Sequence, residues 1–467
     1  MAALHAAPMA GISDRHYRML MRCVSPHVVV WSEMTWDNKI LEAEETGNLE
    51  AVLGFSEEER PVVLQLGGSD PQMLAKAAKL VAARGYDEIN LNCGCPAGTG
   101  GEVRSCYGAR LMLDPARVAA CCSAIRTAVG PSVPVTVKCR LGVDGRETYD
   151  DLIEFIRTVS VHGGIEHFVV HARHAMLSLN ASRNRTVPPL RYDWVSQLQA
   201  DFPHLRFTIN GGLLDESHAC EMLRDRKLGG AMLGRRAKED PFLFARADRL
   251  LRERAPSSMP CDGDVSDGKS DEGDGDGRPA AGYGDERGSG DGGKKGGETG
   301  GETSGGTDGQ YAEDRTRGQV LERYCSYAKL AQAANWGRGH PETLCRALLA
   351  PLGGLFYDTS CGPRWRRVLN EVVQDRARLR DSPVTEIVRH CVEVSGVGAS
   401  GLLEAPPELG VAAKRRERER SAGRELTARG ETSGSTAAAV LGASCTSSNF
   451  APADVPAPAA VAMACVL

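Results

Sequence analysis

Short runs of β-branched and aliphatic residues, each closed by a polar or glycine-containing turn, recur through the first 255 residues. They lie at 27–33 (HVVVWSE), 61–66 (PVVLQL), 87–92 (DEINLN), 135–140 (VTVKCR), 167–171 (HFVVH), 206–210 (RFTIN) and 230–233 (GAML). Each has the length and side-chain chemistry of a strand. A further, truncated strand is expected just before Pro8. Between them, segments such as 71–84, 115–129, 149–162 and 215–224 space apolar residues three and four apart, the period of an amphipathic helix. Eight short strands alternating with helices over about 250 residues predict an α/β fold of the (β/α)8 TIM-barrel type.

The polar positions separate this barrel from a doubly wound sheet. Gln65, Asn92, Lys138, Arg140, His171 and Asn210 stand at or just past the C-terminal ends of strands. That is the face on which a barrel gathers its active site. A dinucleotide-binding sheet would instead carry G-x-G-x-x-G after its first strand, and the sequence has none.

Beyond residue 255 the pattern changes. From about 257 to 318 the chain is dominated by Gly, Asp, Glu, Ser and Thr, as in DEGDGDG and KKGGETGGETSGG, with almost nothing apolar to bury. Such a segment is expected to stay unfolded. Three stretches then carry apolar stripes at helical spacing: QVLERYCSYAKLAQAA, ETLCRALLAPLGGLFY and PRWRRVLNEVVQDRARL. They predict a small C-terminal helical bundle. After about 397 the chain turns to Ala, Ser, Gly and Arg, including KRRERERSAGRE, and reads as a disordered tail. The expected organisation is a catalytic barrel at 1–255, a Gly/Asp-rich insert at 256–318, a helical domain at 319–381 and a tail at 397–467.

Composition sharpens this division. The net charge is −5, but residues 257–318 hold fifteen acids against seven bases, so the remainder is mildly basic. A basic remainder is compatible with a nucleic-acid partner without requiring one. Fifteen cysteines with no secretory leader read as reduced thiols of an intracellular compartment, cytoplasm or organelle, and the N-terminal MAALHAAPMAG shows no targeting segment. No Cys-x-x-Cys pair occurs, so no metal site is expected. No apolar run approaches the ~20 residues that cross a bilayer, so no membrane association is expected either. A monomer is expected.

Candidate chemistry clusters at the predicted barrel mouth. Asn210-Gly211-Gly212 follows the seventh strand and Gly234-Arg235 the eighth, where barrels often bind phosphate through backbone N–H groups. The plainer reading of each Gly-Gly or Gly-Arg pair is loop punctuation. Lys138 ends the fifth strand within an apolar run, a costly place for an ammonium without an anion. In a flavin barrel it would stabilise the reduced, anionic ring. Otherwise it is a surface lysine. Gln65 and His171 end strands of the same barrel and could bond ring and phosphate, with the backbone of Pro8, Met9 and Ala10 along one edge; a lone histidine is more often a satisfied core residue. The sharpest local signal is Asn92-Cys93-Gly94-Cys95-Pro96, in which Gly94 and Pro96 set an irregular turn that aims Cys95 into the mouth. A thiol with an ordinary pKa near ~8.5 is largely protonated at neutral pH and can act as a general acid. Cys93 falls on the opposite parity and reads as packing.

Taken in order, APMAGISDRHYR, VVLQLGGSDP, ARGYDEINLNCGCP, YGARLM, VPVTVKCRLGVD, HARHAMLS, NRTVPPL, INGG and LGR closely resemble the tRNA-dihydrouridine synthases of the A type. The resemblance covers roughly 5–250 and resumes over about 320–375. It implies an FMN-containing barrel with a helical tRNA-binding domain, NADPH as electron donor, and tRNA as partner. It also implies hydride delivery to C6 of a D-loop uracil, around positions 20 and 20a, with protonation of C5 by the cysteine matching Cys95. Pro8, Met9, Ala10, Gln65, Lys138, His171, Asn210, Gly211, Gly212, Gly234 and Arg235 match the family's flavin contacts. Asn92, Arg140, Arg173, Asn184, Arg185 and Arg366 match residues near the uracil or the tRNA backbone.

The chain departs from the family pattern in places. Cys93 replaces the usual Val, AGTGGEVRSC replaces a run that carries a glutamine, Ser182 replaces a lysine, and Pro363 replaces an arginine ahead of Trp365-Arg366-Arg367. These changes bear on tRNA contacts more than on flavin chemistry. Two other functions are compatible with the residues: a flavin barrel acting on a free small molecule, which would not need the helical domain, and a catalytically silent tRNA-binding protein. The acidic insert reads as a spacer, or as a regulator competing with tRNA for the basic face.

Overall fold

Eight parallel strands form in the computed structural model, which describes residues 3–96, 107–253, 315–336 and 339–404. They are β1 (Ala3–Ala6), β2 (Val30–Trp36), β3 (Val62–Gly67), β4 (Glu88–Cys93), β5 (Val135–Arg140), β6 (His167–His171), β7 (Arg206–Asn210) and β8 (Gly230–Leu233). From β2 to β8 each strand pairs with its sequence neighbour, and β1 pairs with β8, so the sheet curls round on itself. The β1–β2 seam is closed one residue outside β2, where Val29 N–H donates to Leu4 O and Ala6 N–H to Val29 O, each at 2.9 Å. This is the expected (β/α)8 barrel.

The second strand starts later than the hydrophobic run at 27–33 predicts and continues to Trp36. The buried Arg22 guanidinium donates to the carbonyls of Ser25, Pro26 and Val28, which draws the start of that run into a turn. Past a register shift, Met34, Thr35 and Trp36 pair with Gln65, Leu66 and Gly67 and extend the strand.

Alternation along each strand divides the side chains into two sets. Ile89, Leu91, Cys93, Val137, Cys139, Phe168, Val170, Phe207 and Ile209 join the apolar layer under the outer helices. The opposite parity faces the barrel axis. There Ala7, Trp31, Val63, Val169 and Met232 form a small separate cluster, and the rest of that parity is mostly polar.

The outer helices of the barrel are α1 (Arg15–Val24), α2 (Asp37–Glu45), α3 (Leu49–Leu53), α4 (Pro71–Arg84), α5 (Pro115–Val129), α6 (Tyr149–Gly163), α7 (Tyr192–Asp201), α8 (Glu216–Asp225), α9 (Arg235–Glu239) and α10 (Leu243–Glu253). Local chemistry sets their starts. Asp70 and Asp114, each just before a proline, accept from N–H groups of the first turn, Gln72 and Met73 for one and Arg117 for the other, and Thr148 forms a capping box with Asp151.

The C-terminal region is a bundle of α11 (Arg317–Ala333), α12 (Pro341–Leu349), α13 (Gly362–Val372), α14 (Arg376–Asp381) and α15 (Val384–Ser395). The third expected helix is split in two, because the Asp375 carboxylate turns back to accept from Arg378 N–H and starts a new helix. The bundle also outruns its expected end at 381: α15 packs on α11 and α13. Order extends past the expected tail boundary at 397, since Val397 is fully buried and Gly318 N–H donates to Leu403 O at 2.8 Å. Trp365 anchors the bundle, fully buried, its Nε1 donating to Leu352 O at 2.9 Å. Bundle and barrel belong to one compact unit. His16 Nδ1 and Tyr327 Oη share a 2.8 Å hydrogen bond, and Arg15 lies 4.4 Å from the Trp336 ring centroid. The expected insert, except its last residues from 315, and the tail beyond 404 lie outside the described residues.

Candidate active site at the barrel mouth

The turn after β4 is held from both sides. Asn92 Oδ1 accepts from the N–H groups of Gly94 and Cys95 at 3.0 and 2.9 Å. Arg140 Nε donates to Gly94 O at 2.8 Å, and Cys95 O accepts from Ala109 N–H at 2.8 Å. The last contact needs glycine at 108, where φ is +60° and a Cβ would stand 2.4 Å from Cys95 O. Cys95 is left partly exposed while Cys93 is buried on the outer side, as strand parity predicts. Residues 97–106, including the departures in AGTGGEVRSC, lie outside the described residues.

Lys138 lies beside this turn on the neighbouring strand, its register partner being Asn92. Its Nζ donates to Asn210 Oδ1 at 3.0 Å, and Asn210 Nδ2 donates to Met232 O at 2.8 Å. Burial pushes the ammonium down to about 8, and the nearby Arg140 adds to the shift. Arg140, Arg173, Arg185 and Arg235 complete a cationic group: Arg140 feels Arg173 and Arg185, and both of these feel Arg235. Desolvation lowers the Arg140 guanidinium to about 10. Cys95 is close enough to Lys138, Arg140 and Arg185 to interact electrostatically with all three. Among the described residues no carboxylate pairs with any of these five cations.

His171 ends β6 in the same field. Burial, then Arg140 and Lys138, hold its imidazole well below the usual range, so it is neutral. Its Nδ1 is buried without a hydrogen-bond partner, as are Arg173 Nε and Arg185 Nε. Gly211 follows β7 at φ +102°, and a Cβ there would lie 3.0 Å from His171 Cε1. Tyr192 Oη fixes the Gly211 carbonyl at 2.7 Å. Across the seam, a Cβ at Gly234 would meet Ala7 Cβ at 3.5 Å and Met9 Sδ at 3.7 Å, and Met9 N–H donates to Ser13 Oγ at 2.8 Å. Pro8 and Met9 are half-buried, while Ala10, Gly212 and Arg235 are exposed.

Several positions named from the sequence have a different character here. Asn184 is fully buried; its Nδ2 donates to Met176 O and Leu179 O, and its Oδ1 accepts from Met176 N–H. It ties the β6–α7 loop together and offers no free polar atom to a ligand. Arg140 is 4% exposed and spends its guanidinium on the carbonyls of Gly94, His174 and Asn184. Arg173 has one donor on Pro188 O. Arg366 is exposed on α13 beside the buried Trp365.

Gln65 and Asn92 turn out to be members of a larger network. Asn92 Nδ2 donates to Gln65 Oε1 at 2.8 Å, Gln65 Nε2 to Asn90 Oδ1 at 2.9 Å, Asn90 Nδ2 to Thr136 Oγ1 at 2.8 Å, and Thr136 Oγ1 to Glu88 Oε1 at 2.6 Å. Asn90, Thr136 and Glu88 were not singled out from the sequence. They share the inward parity of Asn92 and Lys138, and that parity is the signal that finds them.

A family model described as dihydrouridine synthase (Dus) matches residues 5–266. The chain belongs to the dihydrouridine synthase family. It is 45% identical over 248 residues to the tRNA-dihydrouridine(20/20a) synthase of Synechocystis, covering 53% of this chain and 71% of that protein. The Salmonella typhi protein of the same name is 46% identical over 246 residues, 52% of this chain and 71% of its own length. The Escherichia coli K12 one is 45% identical over 246 residues, with 52% and 68% covered. Within the family's barrel, the residues present suit a flavin nucleotide. An uncompensated lysine and a group of arginines call for an anion, two glycine turns admit close backbone approach, and the partnerless His171 Nδ1 awaits a polar atom. No cluster of metal-ligating side chains exists among the described residues, and no described helix is long and apolar enough to cross a membrane.

Proposed function

We propose that this dihydrouridine synthase holds FMN across its barrel mouth and reduces the C5=C6 bond of a D-loop uridine in tRNA, at positions 20 and 20a, with NADPH as electron donor. The observation that carries the reading is the convergence of Lys138, the uncompensated arginines and the Cys95 turn at one end of the barrel. The names of the relatives supply the substrate class.

The flavin, when bound, supplies the hydride that C6 of the uracil accepts. Lys138 would stabilise negative charge on the reduced ring, since burial, which lowers its pKa, disfavours the ammonium without an anion. Gly211, Gly212, Gly234 and Arg235 would hold the phosphate, with His171 as a neutral hydrogen-bonding partner and Pro8, Met9, Ala10 and Gln65 beside the ring. Cys95 Sγ–H would give its proton to C5, so that one carbon gains hydride and the other a proton. Arg140 and Arg185 share the electrostatic field of the sulfur, and the partial exposure of Cys95 lets water restore the proton. Because C5 and C6 are inaccessible in a stacked base, the uridine leaves the stack to react. Arg173 and Arg185, with Arg366 on the bundle, meet the tRNA backbone.

The test is single-nucleotide mapping of dihydrouridine in tRNA from cells lacking the protein, rescued by the parent chain or by Cys95→Ala. Loss of the modification at 20 and 20a, restored by the parent and not by the variant, is expected. A purified chain that binds no flavin, or full rescue by Cys95→Ala, would overturn the reading.

A further inference from the structure

The polar chain inside the barrel has a direction, and one end of it is a carboxylate. Glu88 begins β4, low in the barrel, and above about pH 7 its carboxyl is ionised and only accepts hydrogen bonds. Thr136 Oγ1, 2.6 Å away, therefore gives its single proton to Glu88 and has only lone pairs left for Asn90. Asn90 must turn its NH2 toward Thr136, which leaves its oxygen facing Gln65. Gln65 must then donate to Asn90 and present its oxygen to Asn92. Asn92 in turn donates to Gln65, and its oxygen is the one that accepts from Gly94 and Cys95 N–H. Reversing any one carboxamide would set donor against donor or oxygen against oxygen.

From Thr136 to Asn92 the network is sealed from water, which would otherwise let either orientation find partners, while Glu88 at its lower end is half-buried. Asn90 is fully buried, Thr136 and Gln65 are each 2% exposed and Asn92 is 8% exposed. Register holds the members in line across three strands, Gln65 opposite Asn90 and Asn90 opposite Thr136.

We propose that Glu88 and Thr136 are positioning residues for the reaction: through Asn90 and Gln65 they fix the orientation of the Asn92 carboxamide and so hold the turn that carries Cys95. Resting on the reductase reading, the same chain sets which atom of Gln65 is committed to the protein and which proton remains for the flavin ring. Neither residue touches a reacting atom. Their influence is transmitted by hydrogen-bond polarity alone.

The experiment reads Cys95 in the full-length chain without tRNA. Iodoacetamide alkylation is followed at about pH 8, where Glu88 is ionised, with each cysteine resolved by peptide mass spectrometry. Thr136→Val removes the hydroxyl at constant shape, and Thr136→Ser restores it. Thr136→Val is expected to change the Cys95 rate by about fivefold or more, the scale of one buried hydrogen bond. Thr136→Ser should return it to the parental value, while Cys361, on the helical bundle, keeps its rate throughout. If Thr136→Val does not fold, Glu88→Gln removes the charge that sets the direction and should shift Cys95 in the same sense by less. An unchanged Cys95 rate in folded Thr136→Val, or equal shifts at Cys95 and Cys361, would overturn the proposal. Since the readout needs no turnover, a null result here leaves the reductase reading standing, and a failed dihydrouridine assay leaves this one standing.

Discussion

Lys138 Nζ on β5 reaches over β6 to Asn210 Oδ1 on β7 at 3.0 Å. Among the described residues, a neutral amide is thus the only acceptor for an ammonium that burial has pushed down to about 8. The site is built around a charge it does not neutralise.

Replacing that charge separates stability from function. With its pKa lowered from 10.5 to about 8, Lys138 is charged in both states below pH 8, where the cost of burying it is complete. The cost fades as pH rises from 8 toward 10.5. Lys138→Met should therefore melt higher than the parent in flavin-free protein at pH 7, and the advantage should shrink by pH 10. FMN titration should show weaker binding. Equal melting temperatures at both pH values would contradict the assignment.

Gly211→Ala tests the cradle beside His171. At φ +102° with a new methyl 3.0 Å from His171 Cε1, the variant should lose about 1–3 kcal/mol of stability and bind FMN more weakly. Denaturant melts and flavin titration read the two effects. Gly145→Ala, also at positive φ but with open space around its Cβ, should lose stability while keeping flavin affinity.

On α13, adjacent residues should behave oppositely. Trp365→Ala empties a fully buried site and removes a bond to Leu352 O, costing about 3–5 kcal/mol. Arg366→Glu, on the exposed side, should leave the melt within about 0.5 kcal/mol of the parent. Its tRNA affinity should fall, and the salt dependence of binding should become shallower. Unchanged affinity across a salt series would remove Arg366 from the RNA surface.

Glu88 gives a pH signature. Burial raises its carboxyl from 4.5 to about 7, despite the opposing bond from Thr136. The folded state thus holds a proton that the unfolded chain releases, so Glu88 costs nothing well below pH 4.5. The cost grows as pH rises to about 7 and is constant above. Glu88→Gln should gain melting temperature relative to the parent between pH 5 and pH 8, measured by paired thermal scans. A difference that does not change with pH would refute the buried ionisation.

Much of the site is legible in the linear pattern because a strand's parity is fixed at two. Once Asn92 is taken to face inward, Cys93 must face out, and the structure places it in the outer apolar layer. The helix starts at Pro71 and Pro115 are equally local, each set by an aspartate and a proline. Where the pattern misled, a distant group had intervened. Arg22 bends the start of the second hydrophobic run into a turn, and Asp375 cuts a continuous apolar stripe into two helices. Asn184 carries a motif and a charge-rich setting, yet its amide is consumed by its own loop.

The sequence alone determined the eight-stranded barrel, the face on which polar residues gather, and the inward parity of Cys95's neighbours, because periodicity and capping act over a few residues. Only the tertiary structure decided that Lys138 meets Asn210, that Glu88 speaks to Asn92 through three intermediaries, and that α15 and Val397 complete the bundle. Those relations depend on which strands and helices become neighbours. Closure of the sheet sets that for the barrel and packing of the helices sets it for the bundle, and no short window of sequence contains either.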